Sequence, residues 1–344
     1  MNYKRLLKKT HIWRLFIQIF FYPIYNIIWQ YVINFNAKLL YFFWFFRKRE
    51  IIKFDKSDKI LIKDNNIFKK ISKKILVEGL SLLEESKKEI LSEKYKKKLS
   101  IEIGPSSVDA EMPYRIGIYE KLSEDLKKEI VAFASSDLMI STAAYYMGIF
   151  PILTRIQVDH NIPREGTDVR GAMHWHRDTF GFKNLDFFMA VTDIDDENGP
   201  FYTLEKKVKA GTFMAFSNLV SRTKKGERGK VSSDEFSKYF KNDKILKLSG
   251  DSGSAIFLDS FSCYHKGGFC KSKERLTIRF CYQSHDALVG SQVAKSGSYK
   301  YDKSLYKKDI NIFMKYFFFK EPSKLMKYFS NKIVSFYRKI DFEV

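Results

Sequence analysis

From Pro151 onward the chain is cut into short runs rich in β-branched and aromatic residues: ILTRIQV, LDFFMAV, GTFMAF, SAIFL and RLTIRFCYQ. Turn-forming stretches such as NIPREG, DENGP and SGDSG separate them. Many short strands in succession point to an antiparallel sandwich or barrel, and no other feature constrains the fold as much. A long polar stretch, Ser217 to Leu248, interrupts the pattern and reads as an insertion. The sequence leaves open whether it closes over a site. Ahead of the strands, residues from about 60 to 148 alternate apolar and charged positions at helical spacing, as in ISKKILVEGLSLLEESKKEILSEKYKKKL and KLSEDLKKEIVAFASS. The expected organisation is a basic, hydrophobic segment over residues 1–60, a helical region over 61–150, a β core over 151–290 and basic amphipathic helices over 300–344.

The net charge is +21, and it is unevenly spread. Residues 1–60 carry twelve Lys/Arg against three Asp/Glu, and residues 300–344 carry eleven against five, so the ends hold fifteen of the twenty-one charges. Basic ends imply attraction to an anionic surface. From Leu15 to Ala37 there are 23 residues without a formal charge, long enough to cross a bilayer. Pro23, the polar series Gln18, Asn26, Gln30 and Asn34, and positive charge on both flanks count against a crossing. An in-plane or re-entrant anchor, a true span and an aromatic helix packed on the protein's own core all remain open. No small-residue cleavage site follows, which argues against a removable signal peptide. After Pro322, the segment SKLMKYFSNKIVSFYRKIDF places Leu325, Phe329, Ile333, Phe336 and Ile340 near one helical face, with its lysines and Arg338 largely off it. That suits either a lipid headgroup layer or docking on the core. Nucleic acid is not expected, because no glycine-aromatic RNA-binding signature or zinc-finger spacing accompanies the charge. Three cysteines, Cys263, Cys270 and Cys281, support neither a disulfide framework nor a structural zinc. The expected location is cytoplasmic, at the inner face of a membrane.

The stretch MHWHRDTFGF, Met173 to Phe182, holds two of the six histidines. His176 and Asp178 lie two residues apart, and in an extended backbone such a pair can reach one ion together. A third ligand has to come from far along the chain, and His265, in AIFLDSFSCYHKGG, is the best candidate. Two imidazoles and one carboxylate leave half of a coordination sphere open, the arrangement that suits non-haem Fe(II) oxygenases. Ten residues past His265, Arg275 opens the run RLTIRF. A planar guanidinium there is suited to hold a carboxylate bidentately.

In these segments the sequence resembles the phytanoyl-CoA dioxygenase family of Fe(II)/2-oxoglutarate-dependent oxygenases. The matching text runs from AAYYMGIFP through MHWHRD, DFFMAVTDIDDENGPF, GSAIFLDSFSCYHKGG and RLTIRFCYQ, roughly Ala143 to Gln283. The resemblance implies a double-stranded β-helix, a cupin-like jelly roll, with flanking helices. It implies that His176, Asp178 and His265 bind Fe(II), that Arg275 holds the distal carboxylate of 2-oxoglutarate and that Thr277 adds a hydrogen bond. Arg279, on the same strand face, is the fallback for the arginine's role. The chemistry implied is hydroxylation of a C–H bond by O2, with 2-oxoglutarate converted to succinate and CO2. Relatives follow ENGPF with a Pro-Gly-Ser-His segment where this chain has YTLEKKVKAG. That segment flanks the cofactor and substrate pocket, so the substrate class does not carry over. A small-molecule, lipid or lipid-linked substrate is expected, the lipid option following from the membrane-facing ends.

Other residues draw blander readings. His174 could form a His-x-His pair with His176, but no glutamate follows at cupin-like spacing, so it is placed beside the site or at the surface. His160 is read as a core or rim residue, Trp175 as packing, Cys263 as a small buried side chain, Arg177 as a structural ion pair and Asn198-Gly199-Pro200 as a turn. Two rival functions remain: a catalytically inactive jelly-roll scaffold at the membrane, and a binding module for anionic surfaces driven by the basic ends.

Overall fold

Alternation of polar and large apolar residues through RLTIRF, Arg275 to Phe280, requires a strand with one face in a core and one face elsewhere. The computed structural model makes it β9, Arg275–Gln283, and describes residues 38, 41–42, 51–52, 61–63, 65–97, 114–163, 171–178, 184–205, 231–260 and 262–284. Leu276, Ile278, Phe280 and Tyr282 point into the hydrophobic core, while Arg275, Thr277 and Arg279 point the opposite way into a cleft.

Among the described residues nine strands build two antiparallel sheets. They are β1 (Leu61–Lys63), β2 (Arg115–Gly117), β3 (Ile152–Asn161), β4 (Asn184–Ala190), β5 (Phe201–Leu204), β6 (Ile245–Leu248), β7 (Ala255–Leu258), β8 (His265–Lys266) and β9. The larger sheet runs β1-β7-β4-β9-β3-β2 and the smaller β6-β5-β8. In the larger sheet β9 lies between β4 and β3, with Arg279 opposite Phe188 on one side and Gln157 on the other. The described residues thus form a core of antiparallel strands with helices packed on it. The sheets face each other across the cleft, whose walls include Phe188 of β4 and Phe201 of β5, stacked at 4.6 Å.

Helices cover the outer face of the larger sheet. They are α1 (Asn66–Ser81), α2 (Leu83–Leu91), α3 (Glu124–Ala134) and α4 (Asp137–Met147). Asn65, Ser123 and Ser136 start α1, α3 and α4 by accepting a backbone N–H of the first turn. Along α1 the buried positions Phe68, Ile71, Ser72, Ile75 and Gly79 recur at helical spacing. Gly79 lets the helix approach closely, since a Cβ there would lie 3.0 Å from Leu276 Cδ1. Phe68, Phe133, Phe187 and Phe280 form an aromatic cluster between helices and sheet, with Phe187 stacked on Phe280 at 5.3 Å. The Tyr282 hydroxyl donates to the Ala134 carbonyl at 2.7 Å, satisfying the end of α3. Among the described residues no single helix is long and apolar enough to cross a membrane. The pair α3 and α4, bent by 42°, passes that test together, but its apolar residues pack against the sheet.

The structure revises one boundary. Ser217–Leu248 is not a single polar insertion, because its last part folds into the core. Helix α5 (Ser233–Tyr239) buries Phe236, and Ile245–Leu248 pairs with β5. Residues 206–230, which include the expected strand GTFMAF, lie outside the described residues, as do 1–37 and 285–344 with both basic ends.

Candidate metal centre

The HWHRD stretch leaves a short 3-10 turn, Gly171–Met173, and runs extended across the edge of the smaller sheet. Trp175 exchanges backbone hydrogen bonds with Val231, and His176 exchanges them with His265 at 3.0 and 2.9 Å. Asp178 N–H then donates to the Ser260 carbonyl at 2.9 Å. Extended backbone alternates its side chains, so Trp175 and Arg177 share one side while His176 and Asp178 share the other. Trp175 stacks on Phe236 at 4.0 Å, and Arg177 lies over the Tyr264 ring. Packing on one side thereby aims the polar pair into the cleft.

His176, Asp178 and His265 converge there, with one ligand atom from each inside 4.8 Å of the others. Both imidazoles are oriented by the main chain. A carbonyl can only accept, so Nδ1 of His176 donates to the His174 carbonyl at 2.8 Å and Nδ1 of His265 to the Cys263 carbonyl at 3.2 Å. This fixes the tautomers and leaves each Nε2 lone pair facing Asp178, 3.9 Å from one of its oxygens. Burial pushes the His265 imidazole down, towards the neutral form that can ligate. Burial alone would raise the Asp178 carboxyl, but the Arg279 guanidinium and the two imidazoles hold it well below the ordinary range. The donor set, two imidazoles and one carboxylate, fits a divalent transition metal.

Arg275, Thr277 and Arg279 line the same cleft, which holds about 730 Å³ of space, part of it open to solvent. Arg275 is buried, and its Nε and Nη1 have no hydrogen-bond partner among the described residues. Burial works against its charge. A buried guanidinium with unused donors aimed into a cleft is the kind of group a ligand carboxylate satisfies. Arg279, the alternative for that role, donates through Nη2 to both Asp178 and Asp186 at 2.5 Å. Phe188, Phe201, Met173, Ile194 and Leu248 form apolar walls, and Tyr114, Arg115, Asp159 and Asn161 are polar lining.

Of the residues weighed only lightly, His174 contributes its carbonyl to the site, and His160 lies on the other face of β3, bonded to Glu274 at 2.7 Å. All three cysteines are buried, and none forms a disulfide. Gly199 has φ +75°, and the Asn198 side chain closes its turn against Asp193 and Asp195. Sequence reasoning missed Asp186, Asn184, Arg115 and Asp159. Asp186, inside DFFMAV, interrupts an apolar run with a charge, and that interruption was the available signal. No comparable signal marks Arg115, because its strand has three residues.

No protein-family model matches this sequence, and no curated protein matches it. Among solved structures, similar ones include EctD from S. alaskensis with bound Fe (12% identity, TM-score 0.43, covering 70% of this chain and 76% of that one). Another is the non-heme alpha-ketoglutarate-dependent epimerase SnoN from nogalamycin biosynthesis (13%, TM-score 0.38, 67% and 77%). A third is EctD from S. alaskensis with 2-oxoglutarate and 5-hydroxyectoine (13%, TM-score 0.39, 66% and 73%). At these scores the likeness carries no weight for the chemistry, which stands on the side chains of this chain.

Proposed function

We propose that the chain is an Fe(II)- and 2-oxoglutarate-dependent oxygenase with a jelly-roll core that hydroxylates a C–H bond of a small-molecule substrate. The observation that carries this reading is the pairing, in one cleft, of a convergent His176–Asp178–His265 triad with the buried, unsatisfied guanidinium of Arg275. The triad would hold iron through two Nε2 atoms and one carboxylate oxygen. Arg275 would bind the distal carboxylate of 2-oxoglutarate as a charge-assisted pair, and Thr277, which lines the same cleft, would add a hydrogen bond. When bound, iron and 2-oxoglutarate supply the oxidation of a C–H bond by O2, with succinate and CO2 as the other products.

The remaining steps belong to the protein. Phe188, Phe201, Met173 and Leu248 would exclude water from the reacting face, and Arg115, Asp159, Asn161 and Tyr114 would offer donors and acceptors to a polar part of the substrate. Support for a membrane-facing location and a lipid-linked substrate comes from the sequence of the ends alone.

The test needs no substrate. Fe(II) and then 2-oxoglutarate are added anaerobically to the purified protein, and the visible charge-transfer band of the chelate is followed. A band is expected, absent in His176→Ala and weakened in Arg275→Ala. No band from folded, iron-loaded protein would reject the oxygenase reading.

A further inference from the structure

Asp186 and Arg279 touch the triad without belonging to it. Asp186 is fully buried on β4, and the Arg279 Nη2 that bonds its Oδ2 also bonds Oδ2 of Asp178, both at 2.5 Å. Asn184 reaches Asp186 Oδ2 at 3.4 Å and donates to the Ser260 hydroxyl. The Ser260 carbonyl in turn accepts the backbone N–H of Asp178. The contacts therefore form a ring that starts at the Asp178 main chain and returns to its side chain. The guanidinium lies 4.9 Å over the Phe188 ring, which restrains its plane.

A lone guanidinium here would be a poor neighbour for a divalent cation. Both are positive, and burial leaves little water to screen them. Asp186 supplies the opposing charge. With Arg279 and Asp186 cancelling, an incoming ion meets two neutral imidazoles and the Asp178 carboxylate. Oδ2 of that carboxylate is taken by Arg279, while Oδ1 lies 3.9 Å from Nε2 of His176.

We propose that Arg279 and Asp186 are paired positioning residues for the metal: Arg279 orients the Asp178 carboxylate, and Asp186 neutralises Arg279 so that the orienting charge does not repel the ion. This rests on reading the triad as a metal site. A carboxylate that touches no ligand atom of the ion thus governs the ion's affinity.

Cobalt(II) alone is the probe, titrated into the full chain and its variants while the visible ligand-field band of the bound ion is recorded. Asp186→Asn keeps the shape and removes the charge, and its cobalt affinity is expected to fall roughly 10- to 100-fold. The double variant Asp186→Asn/Arg279→Gln loses both charges. It is expected to bind more tightly than Asp186→Asn and to show a shifted band, because Asp178 is no longer clamped. A merely structural role predicts the opposite order, since two lesions would add. The proposal is overturned if Asp186→Asn binds within twofold of wild type, or if the double variant binds no better than the single one. Should Asp186→Asn lack a cooperative melting transition, the double variant decides: a shifted band supports the pairing, and a band and affinity identical to wild type overturn it. A wild-type chain that gives no band removes the metal site itself, which is a different failure.

Discussion

Arg275 and Arg279 lie on one face of β9 and differ in what holds them. Nη2 of Arg279 is bonded to two carboxylates, whereas Nε and Nη1 of Arg275 are buried without a partner among the described residues. If Arg275 binds 2-oxoglutarate as proposed, replacing it with Ala would remove charge-assisted hydrogen bonds of about 1.5–3 kcal/mol. The expected result is a roughly 10- to 150-fold weaker 2-oxoglutarate affinity by titration into iron-loaded protein, with iron affinity little changed. A second expectation concerns Gly199. Its φ of +75° and the position of its absent Cβ, 2.5 Å from the Phe269 carbonyl, leave no room for a side chain. Gly199→Ala should cost at least about 1–3 kcal/mol in denaturant unfolding.

At the scale of elements, the runs rich in β-branched and aromatic residues were legible in advance and the shortest strands were not. ILTRIQV, LDFFMAV, SAIFL and RLTIRFCYQ correspond to β3, β4, β7 and β9. β1, β2 and β8 have three, three and two residues, too few for any period, and only pairing with neighbours defines them. β6 was hidden inside a lysine-rich stretch because its partner β5 supplies what its own sequence lacks. A consequence follows for the Ser217–Leu248 segment. Its deletion as a block removes β6 and the Phe236 ring stacked on Trp175, so melting temperature and metal binding should both fall. Unchanged melting would show that α5 and β6 are dispensable. On the other face, Phe187→Ala empties the centre of the aromatic cluster and should cost about 3–5 kcal/mol.

For the molecule as a whole, the site lies at the edge of the smaller sheet, with side chains of the larger one reaching into it. His176 and His265 belong to the edge, and Arg279 on the larger sheet grips Asp178. An ion bound to the folded state alone stabilises by about 2.7 kcal/mol at a hundred times its dissociation constant. Cobalt(II) should therefore raise the melting temperature of wild type, and a chelator should reverse the rise. No such rise is expected for His265→Ala.

The sequence by itself determined the β-rich runs, the covering helices and the candidates His176, Asp178, His265 and Arg275, because composition, period and side-chain chemistry are local properties. It could not determine how the two arginines differ. Arg275 and Arg279 share a strand face and a cleft, and only tertiary packing sets the buried Asp186 carboxylate against Arg279 and leaves Nε and Nη1 of Arg275 without a partner among the described residues. The same holds for the triad. Two residues of spacing put His176 beside Asp178, but the hydrogen bonds between the main chains of His176 and His265 are what bring the third ligand across a gap of nearly ninety residues. Contacts of that range depend on how the sheets are paired, and no stretch of local sequence carries that information.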